Sequence, residues 1–188
     1  MTSTDVTVRL ATRADVPGVM ALESRYYVGN LDATEQEDGF ISVLHSADWF
    51  YRAFDTAGLH VAVTDDDAVA GFIAVTPPPP RSDPGLPSIV RAMLDLADTL
   101  DFNGRPIAQQ RFAFRGPVCI DKSARGRGVY SKFNTVTREA YRGRFDCGVL
   151  FVAADNVRSL HTTTTKLEAT SLAAFEVDAR QFHFLAFD

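Results

Sequence analysis

Cysteine is scarce in this chain, and the two that occur, Cys119 and Cys147, form neither a Cys-x-x-Cys pair nor a metal-ligand spacing. Both sit in apolar stretches rich in strand formers, so buried free thiols are expected, and no metal. Positive charge is also short. Lys and Arg number 19 against 24 Asp and Glu, a formal net charge of -5, which removes any general attraction to nucleic acid or to an anionic membrane. No apolar run approaches membrane-spanning length, and Met1 to Asp5 is polar with no leader-like apolar region, so a cytoplasmic protein is expected. What remains is an ordinary globular composition, 46% hydrophobic and 23% charged over 188 residues. That length fits a single domain, 1–188, with a sizeable core.

The most informative stretch runs from Pro117 to Tyr130. Val118-Cys119-Ile120 is a strand end, Asp121 to Gly128 is a basic Gly-containing turn, and Val129, Phe133, Val136 and Ala140 recur with helical spacing. The first turn of a helix has amides without internal partners and carries partial positive charge, while Gly126 and Gly128 let the backbone approach a bulky anion. Arg125 and Arg127 add formal charge. The stretch therefore suits a phosphate or pyrophosphate.

A Walker loop is excluded, because Val-Tyr-Ser-Lys follows Gly128 where Gly-Lys-Ser/Thr would be needed. A Rossmann fingerprint is closer, with Gly126-x-Gly128 and an acidic residue, Asp155, after the strand from Val149 to Ala153. Ser131 stands where the third glycine would be, however, and too little chain follows Asp155 to complete a dinucleotide-binding sheet.

Arg125-Gly126-Arg127-Gly128 after Val118-Cys119-Ile120 resembles the Gln/Arg-x-x-Gly-x-Gly/Ala signature of the GNAT superfamily of acyl-CoA-dependent N-acyltransferases. The signature's glycine falls on Gly128 and its last small residue on Tyr130, a departure. The resemblance implies that the loop and helix start, Arg125 to Tyr130, hold the coenzyme A pyrophosphate through backbone amides. It also implies that the backbone around Val118, Cys119 and Ile120 meets the pantetheine arm, and that Asn156 lies beside the coenzyme. The implied fold is α/β (α+β), a mixed, mostly antiparallel twisted sheet flanked by helices.

The order of elements is similar to that superfamily. Val6 to Leu10 alternates as a first strand, and Thr12 to Asp15 resembles a capping box that opens a helix to about Tyr26. Val28 to Asp38 reads as a solvated acidic loop, with attraction of a cationic amine as its functional alternative. Ile41, Leu44, His45, Trp49, Phe50 and Phe54 suit a second helix. Leu59 to Thr64 and Ala68 to Thr76 form a hairpin turned by Asp65-Asp66-Asp67. Pro77 to Pro80 is a stiff spacer leading to a helix from Ile89 to Leu100 that ends at Asn103-Gly104. This segment, about 77–110, is expected as a Pro-rich insertion between strands 3 and 4. Its apolar face implies a lid or a subunit contact beside the acceptor site, the second of which would make the protein a homodimer. Gly116-Pro117 should bend the strand from Arg111 to Ile120. A helix from Val129 to Arg142, a turn at Asp146 to Gly148, a strand from Val149 to Ala153 and a final strand pair, Leu172 to Val177 and Phe182 to Phe187, follow. Val157 to Leu167 carries four consecutive threonines, poor helix formers.

The implied activity is transfer of an acetyl or other acyl group from acetyl-CoA to a primary amine of a small molecule or peptide. Proton transfer is the gap in the pattern. The superfamily often places a Tyr acid in the helix after the Asn-bearing strand, where this chain has Thr164, with Glu168 replacing the following glycine. His161 is the substitute candidate for the acid. The superfamily's Glu base on the fourth strand has no match in Phe114 to Gly116, leaving Glu23, His60 or water. The competing class is a non-catalytic acyl-CoA-binding or sensor domain.

Overall fold

A computed structural model describes residues 6–56 and 58–188. In chain order the elements are β1 (Thr7–Leu10), α1 (Val16–Arg25), α2 (Ala33–Gln36), α3 (Ala47–Asp55), β2 (Leu59–Val63), β3 (Val69–Thr76) and α4 (Ser88–Ala97). Then come the two-residue strands β4 (Asp101–Phe102) and β5 (Arg105–Pro106), followed by β6 (Phe112–Ile120), α5 (Val129–Tyr141), β7 (Cys147–Ala153), α6 (Val157–Lys166), β8 (Thr170–Val177) and β9 (Arg180–Phe187).

The chain divides into two compact units. The first comprises residues up to 76 with Arg115–Ala140, and the second Pro77–Phe114 with Tyr141–Asp188. Strand β6 contributes Arg115–Ile120 to the first and Phe112–Phe114 to the second. In the first unit the strands lie in the order β1-β2-β3-β6, and in the second β6-β7-β9-β8. Of the strand pairs with described register, only β6 with β7 is parallel. The result is the mixed, mostly antiparallel seven-stranded sheet with helices that the sequence implies.

In the first unit the chain is pinned at its start. Asp15 Oδ2 accepts from the Thr12 amide at 2.6 Å and hydroxyl at 2.8 Å, and the Arg9 guanidinium donates to both carboxylate oxygens at 2.8 and 2.9 Å. The expected capping box is thus present, completed by an arginine from β1. These partners, led by Arg9, hold the Asp15 carboxyl at about 2, below its ordinary 3.8. A depressed carboxylate stabilises the fold above its unfolded value and loses that contribution as pH falls toward the folded one. Asp15→Asn should therefore cost about 2 kcal/mol at neutral pH, with the difference from wild type vanishing between about pH 4 and pH 2. Urea unfolding at several pH values measures it.

The second helix is shorter than expected. Ile41 pairs its amide with the Tyr26 carbonyl and its carbonyl with the Val28 amide, at 2.8 and 2.9 Å, so it is committed to extended backbone. Ser46 then caps α3, accepting from the Trp49 amide at 3.2 Å. The acidic loop also has local order, because Asp32 and Glu35 form the capping box of α2.

In the second unit the proline segment is tied to α4 by Arg81, which donates to Asp95, Asp98 and the Leu94 carbonyl at 2.6 to 2.7 Å. The apolar face of α4, including Met93 and Leu94, is covered by Ile107, Phe112, Phe114 and Phe184. The face that motivated a lid or subunit contact is therefore part of this unit's own core. Met93→Ala should cost about 2 to 5 kcal/mol as a cavity, read by denaturant unfolding.

Strand β7 begins at Cys147, not Val149, so Asp146 to Gly148 is not a turn: Cys147 and Gly148 pair with Phe112 and Ala113. Gly148 belongs in the strand because the Phe187 and Tyr141 rings crowd the place a Cβ would take. Helix α6 forms in spite of its threonines. Asn156 caps it, and the Thr164 and Thr165 hydroxyls donate back to carbonyls of their own helix. Asp178 and Ala179, with φ of 51° and 60°, make the two-residue turn between β8 and β9.

Candidate active site

The loop between β6 and α5 is built by a short series of side chains, all within the first unit. Within the continuous strand β6, Gly116 has φ 130° and a cis peptide to Pro117, at the position where the sequence suggests a bend. Beyond it, Cys119 faces the core beneath α1, while Val118 and Ile120 pack beside Val129 and Phe133 of α5. Asp121 ends the strand. Its amide donates to the Ala70 carbonyl at 2.8 Å, and its carboxylate accepts from the Ser123 amide and hydroxyl at 2.9 and 2.6 Å. That is the side-chain turn expected of Asp at such a position.

Arg25 of α1 and Tyr26, which follows it, fix the loop's base. The Arg25 guanidinium donates to Asp121 at 2.8 Å, and the Tyr26 hydroxyl accepts from the Lys122 amide at 2.8 Å. Arg125 lies 5.4 Å from the Tyr26 ring centroid and donates to the carbonyls of Ile120 and Asp38, each at 3.0 Å. Arg125 is thus a staple for the loop's own backbone. Asp38, from the acidic loop, also pairs with Lys122 at 2.7 Å. Arg127 is exposed.

Gly126 and Gly128 have φ of 76° and 74°, the left-handed region that side chains disfavour, and nothing lies within 4 Å of a Cβ built on either. The loop is open there. The Lys132 amide donates to the Gly128 carbonyl at 3.0 Å, so the preceding amides at Val129, Tyr130 and Ser131 have no carbonyl within α5 to donate to. An exposed backbone loop at a helix start, with room where side chains would stand, fits a pyrophosphate.

Tyr130, at the signature's small-residue position, turns its ring toward the protein. The buried Arg115 guanidinium lies 5.2 Å from its centroid and donates to the Asn134 side chain at 2.9 Å. Arg115 Nε, the Tyr130 hydroxyl, Thr137 Oγ1 and His60 Nδ1 are buried polar atoms without hydrogen-bond partners among the described residues. Burial lowers the His60 pKa, opposed by Glu139.

Glu23 is enclosed, 1% exposed, and both of its oxygens meet His45: Oε2 accepts from the backbone amide at 3.0 Å and Oε1 lies 2.7 Å from Nδ1. The His45 ring sits against Trp49, centroids 4.0 Å apart, and against the edge of Phe50. Sequence reading names Glu23 alone and puts His45 on a helix face. No spacing rule joins residues 22 positions apart through a loop.

The remaining sequence candidates lie in the second unit. Asn156 is buried and caps α6, accepting from the Ser159 amide at 3.2 Å. His161 and Thr164 are exposed on α6, and the Thr164 hydroxyl donates to the Leu160 and His161 carbonyls at 3.0 and 3.2 Å. Asp155, the Rossmann candidate, pairs with Arg180 at 2.8 Å.

Cys119 and Cys147 are both buried free thiols. Burial pushes Cys119 up to about 12 and Cys147 up to about 11, so neither is a thiolate near neutrality. Iodoacetamide should label neither in the native protein and both after unfolding, as mass spectrometry would show. No three His, Cys, Asp or Glu side chains converge as a metal site among the described residues, and no described helix is long and apolar enough to cross a membrane.

No protein-family model matches the sequence, and neither does any curated protein. Solved structures do match in shape. A GNAT-family acetyltransferase from Streptococcus agalactiae superposes with a TM-score of 0.63 at 16% identity, over 97% of this chain and 94% of that one. An N-acetyltransferase from Staphylococcus aureus gives 0.62 at 16% identity, over 98% and 99%. The protein yncA from Salmonella typhimurium, solved with its cofactor acetyl-CoA, gives 0.58 at 13% identity, over 97% and 93%. The fold is that of the GNAT acetyltransferases.

Proposed function

We propose that this chain, on its GNAT fold, binds an acyl-CoA, with acetyl-CoA as the expected donor, and transfers the acyl group to a primary amine of a small molecule or peptide. The carrying observation is the loop at the start of α5: two left-handed glycines with open space at their Cβ positions, held at its base by Tyr26 and Arg125. In this reading the backbone from Arg125 to Tyr130 receives the pyrophosphate. The backbone around Val118, Cys119 and Ile120 receives the pantetheine arm. Arg127 adds charge to the loop, and Arg125 keeps the loop in shape. The thioester supplies the activated acyl carbon. Acyl transfer also needs donors for the developing oxyanion and a route for the amine's proton.

A second reading is an acyl-CoA-binding sensor without catalysis. It is favoured by α6, where Thr164 occupies the superfamily's tyrosine position and its hydroxyl is engaged with carbonyls of its own helix. His161 stands one turn earlier as the alternative acid.

Both readings require coenzyme binding, and thermal unfolding with acetyl-CoA or NAD tests it. Acetyl-CoA should raise the Tm and NAD should not. Stabilisation by NAD alone would return the loop to a dinucleotide-binding role.

A further inference from the structure

We propose that His45 is the general base that deprotonates the acceptor amine and that Glu23 is its positioning residue, an inference resting on the acyltransferase reading above. A carboxylate only accepts hydrogen bonds, so in the neutral imidazole the 2.7 Å contact puts the proton on Nδ1 and leaves the lone pair on Nε2. The tautomer is fixed by geometry. The second Glu23 oxygen accepts from the His45 backbone amide, and the Trp49 and Phe50 rings hold the imidazole plane. The His45 side chain keeps 15% exposure. A base oriented through one nitrogen, on a side chain that keeps contact with solvent, is what amine deprotonation needs.

Position supports the role. Glu23 lies close enough to Cys119 for its charge to help push that thiol up. Tyr26, just past the end of α1, holds the Lys122 amide of the candidate coenzyme loop. The pair is therefore beside β6, in the same unit as the loop. The other sequence candidates for the base serve less well. Both Glu23 oxygens are already engaged and enclosed. His60 is 8% exposed, with its environment including Glu139 of α5.

In the reaction, the amine lone pair forms the C–N bond to the thioester carbonyl carbon while Nε2 takes the N–H proton. The C–S bond electrons leave with sulfur, and the thiolate recovers a proton from the imidazolium by way of solvent. No other reactant is required.

The alternative is that the pair only ties α1 to the start of α3, and the experiment separates the two. Wild type, His45→Gln, His45→Ala and Glu23→Gln would be compared for acetyl-CoA-induced Tm shift, for kcat and KM with an accepted amine, and for rescue by added imidazole. Diethyl pyrocarbonate mapping of native wild type would be read by mass spectrometry. We expect the coenzyme shift to persist in every folded variant. His45→Gln should lose about 10² to 10⁴ in kcat, Glu23→Gln should lose kcat at near-constant KM, and imidazole should restore part of the His45→Ala rate. Diethyl pyrocarbonate should modify His45 and spare His60. Wild-type kcat in His45→Gln, no imidazole rescue, or an unmodified His45 would overturn the assignment. So would a wild type that binds acetyl-CoA but acetylates no amine. A wild type that shows no acetyl-CoA shift overturns the acyltransferase reading itself, whereas an intact shift with unchanged turnover in His45→Gln overturns this inference alone.

Discussion

Gly128→Glu should abolish the thermal stabilisation that acetyl-CoA gives the wild type. A ligand that binds only the folded state at a hundred times its Kd adds about 2.7 kcal/mol, and at roughly 2 to 4 °C per kcal/mol for a chain of this size the shift is about 5 to 10 °C. Gly128 stands at φ 74° with open space where a Cβ would go, so a glutamate fits sterically and puts its carboxylate where phosphate is expected. The left-handed backbone costs any L-residue about 1 to 2 kcal/mol, a loss that lowers the variant's own Tm without touching ligand response. Gly128→Ala carries the same strain and no charge, so it should keep much of the shift. Differential scanning fluorimetry of the three proteins with and without acetyl-CoA decides the matter. An unaltered shift in the glutamate variant would show that the anion binds elsewhere.

Phe133→Ala should produce the largest loss of stability, about 3 to 5 kcal/mol out of a typical total of 5 to 15. The ring is fully buried beneath α5, among Val6, Ala62, Ala70, Ile73, Ala124 and Val129. Removing it leaves a cavity that a stiff strand pair and a helix cannot close. Ala124 of the loop and Val129 at the start of α5 share that cluster, so the cavity lies directly under the candidate coenzyme loop. The acetyl-CoA shift should therefore shrink along with the Tm, which should fall by roughly 10 °C. Urea unfolding would measure the first effect, and the ligand-dependent Tm the second. A loss below about 1 kcal/mol would mean that Phe133 is not the anchor of α5.

The elements legible in the sequence were those whose cause is local. Thr12 and Asp15 announce a capped helix, Asp65 to Asp67 a hairpin, and Gly126 and Gly128 a turn that leads from a strand into a helix, and each occurs. The misplaced boundaries have distant causes. Ile41 belongs by periodicity to a helix, but its backbone pairs with residues following α1. Gly148 looks like a turn residue, but its small size accommodates the Phe187 ring. The threonines of α6 look hostile to a helix until their hydroxyls find carbonyls one turn back. Function divides the same way. The loop's capacity for an anion is written in consecutive residues, whereas the Glu23–His45 pair is brought together by the fold across a loop. Arg125 shows a subtler limit: its charge reads as a phosphate ligand, but its guanidinium serves the carbonyls of Ile120 and Asp38.

The measurement that bears most directly on acyl transfer is release of free thiol from acetyl-CoA in the presence of a panel of primary amines and short peptides, followed by mass spectrometry of the acceptor. The account predicts thiol release that depends on the amine and matches the acetylated product mole for mole. Acetyl-CoA that binds and stabilises the protein while no amine in the panel accelerates thiol release would contradict it and leave the sensor reading in its place.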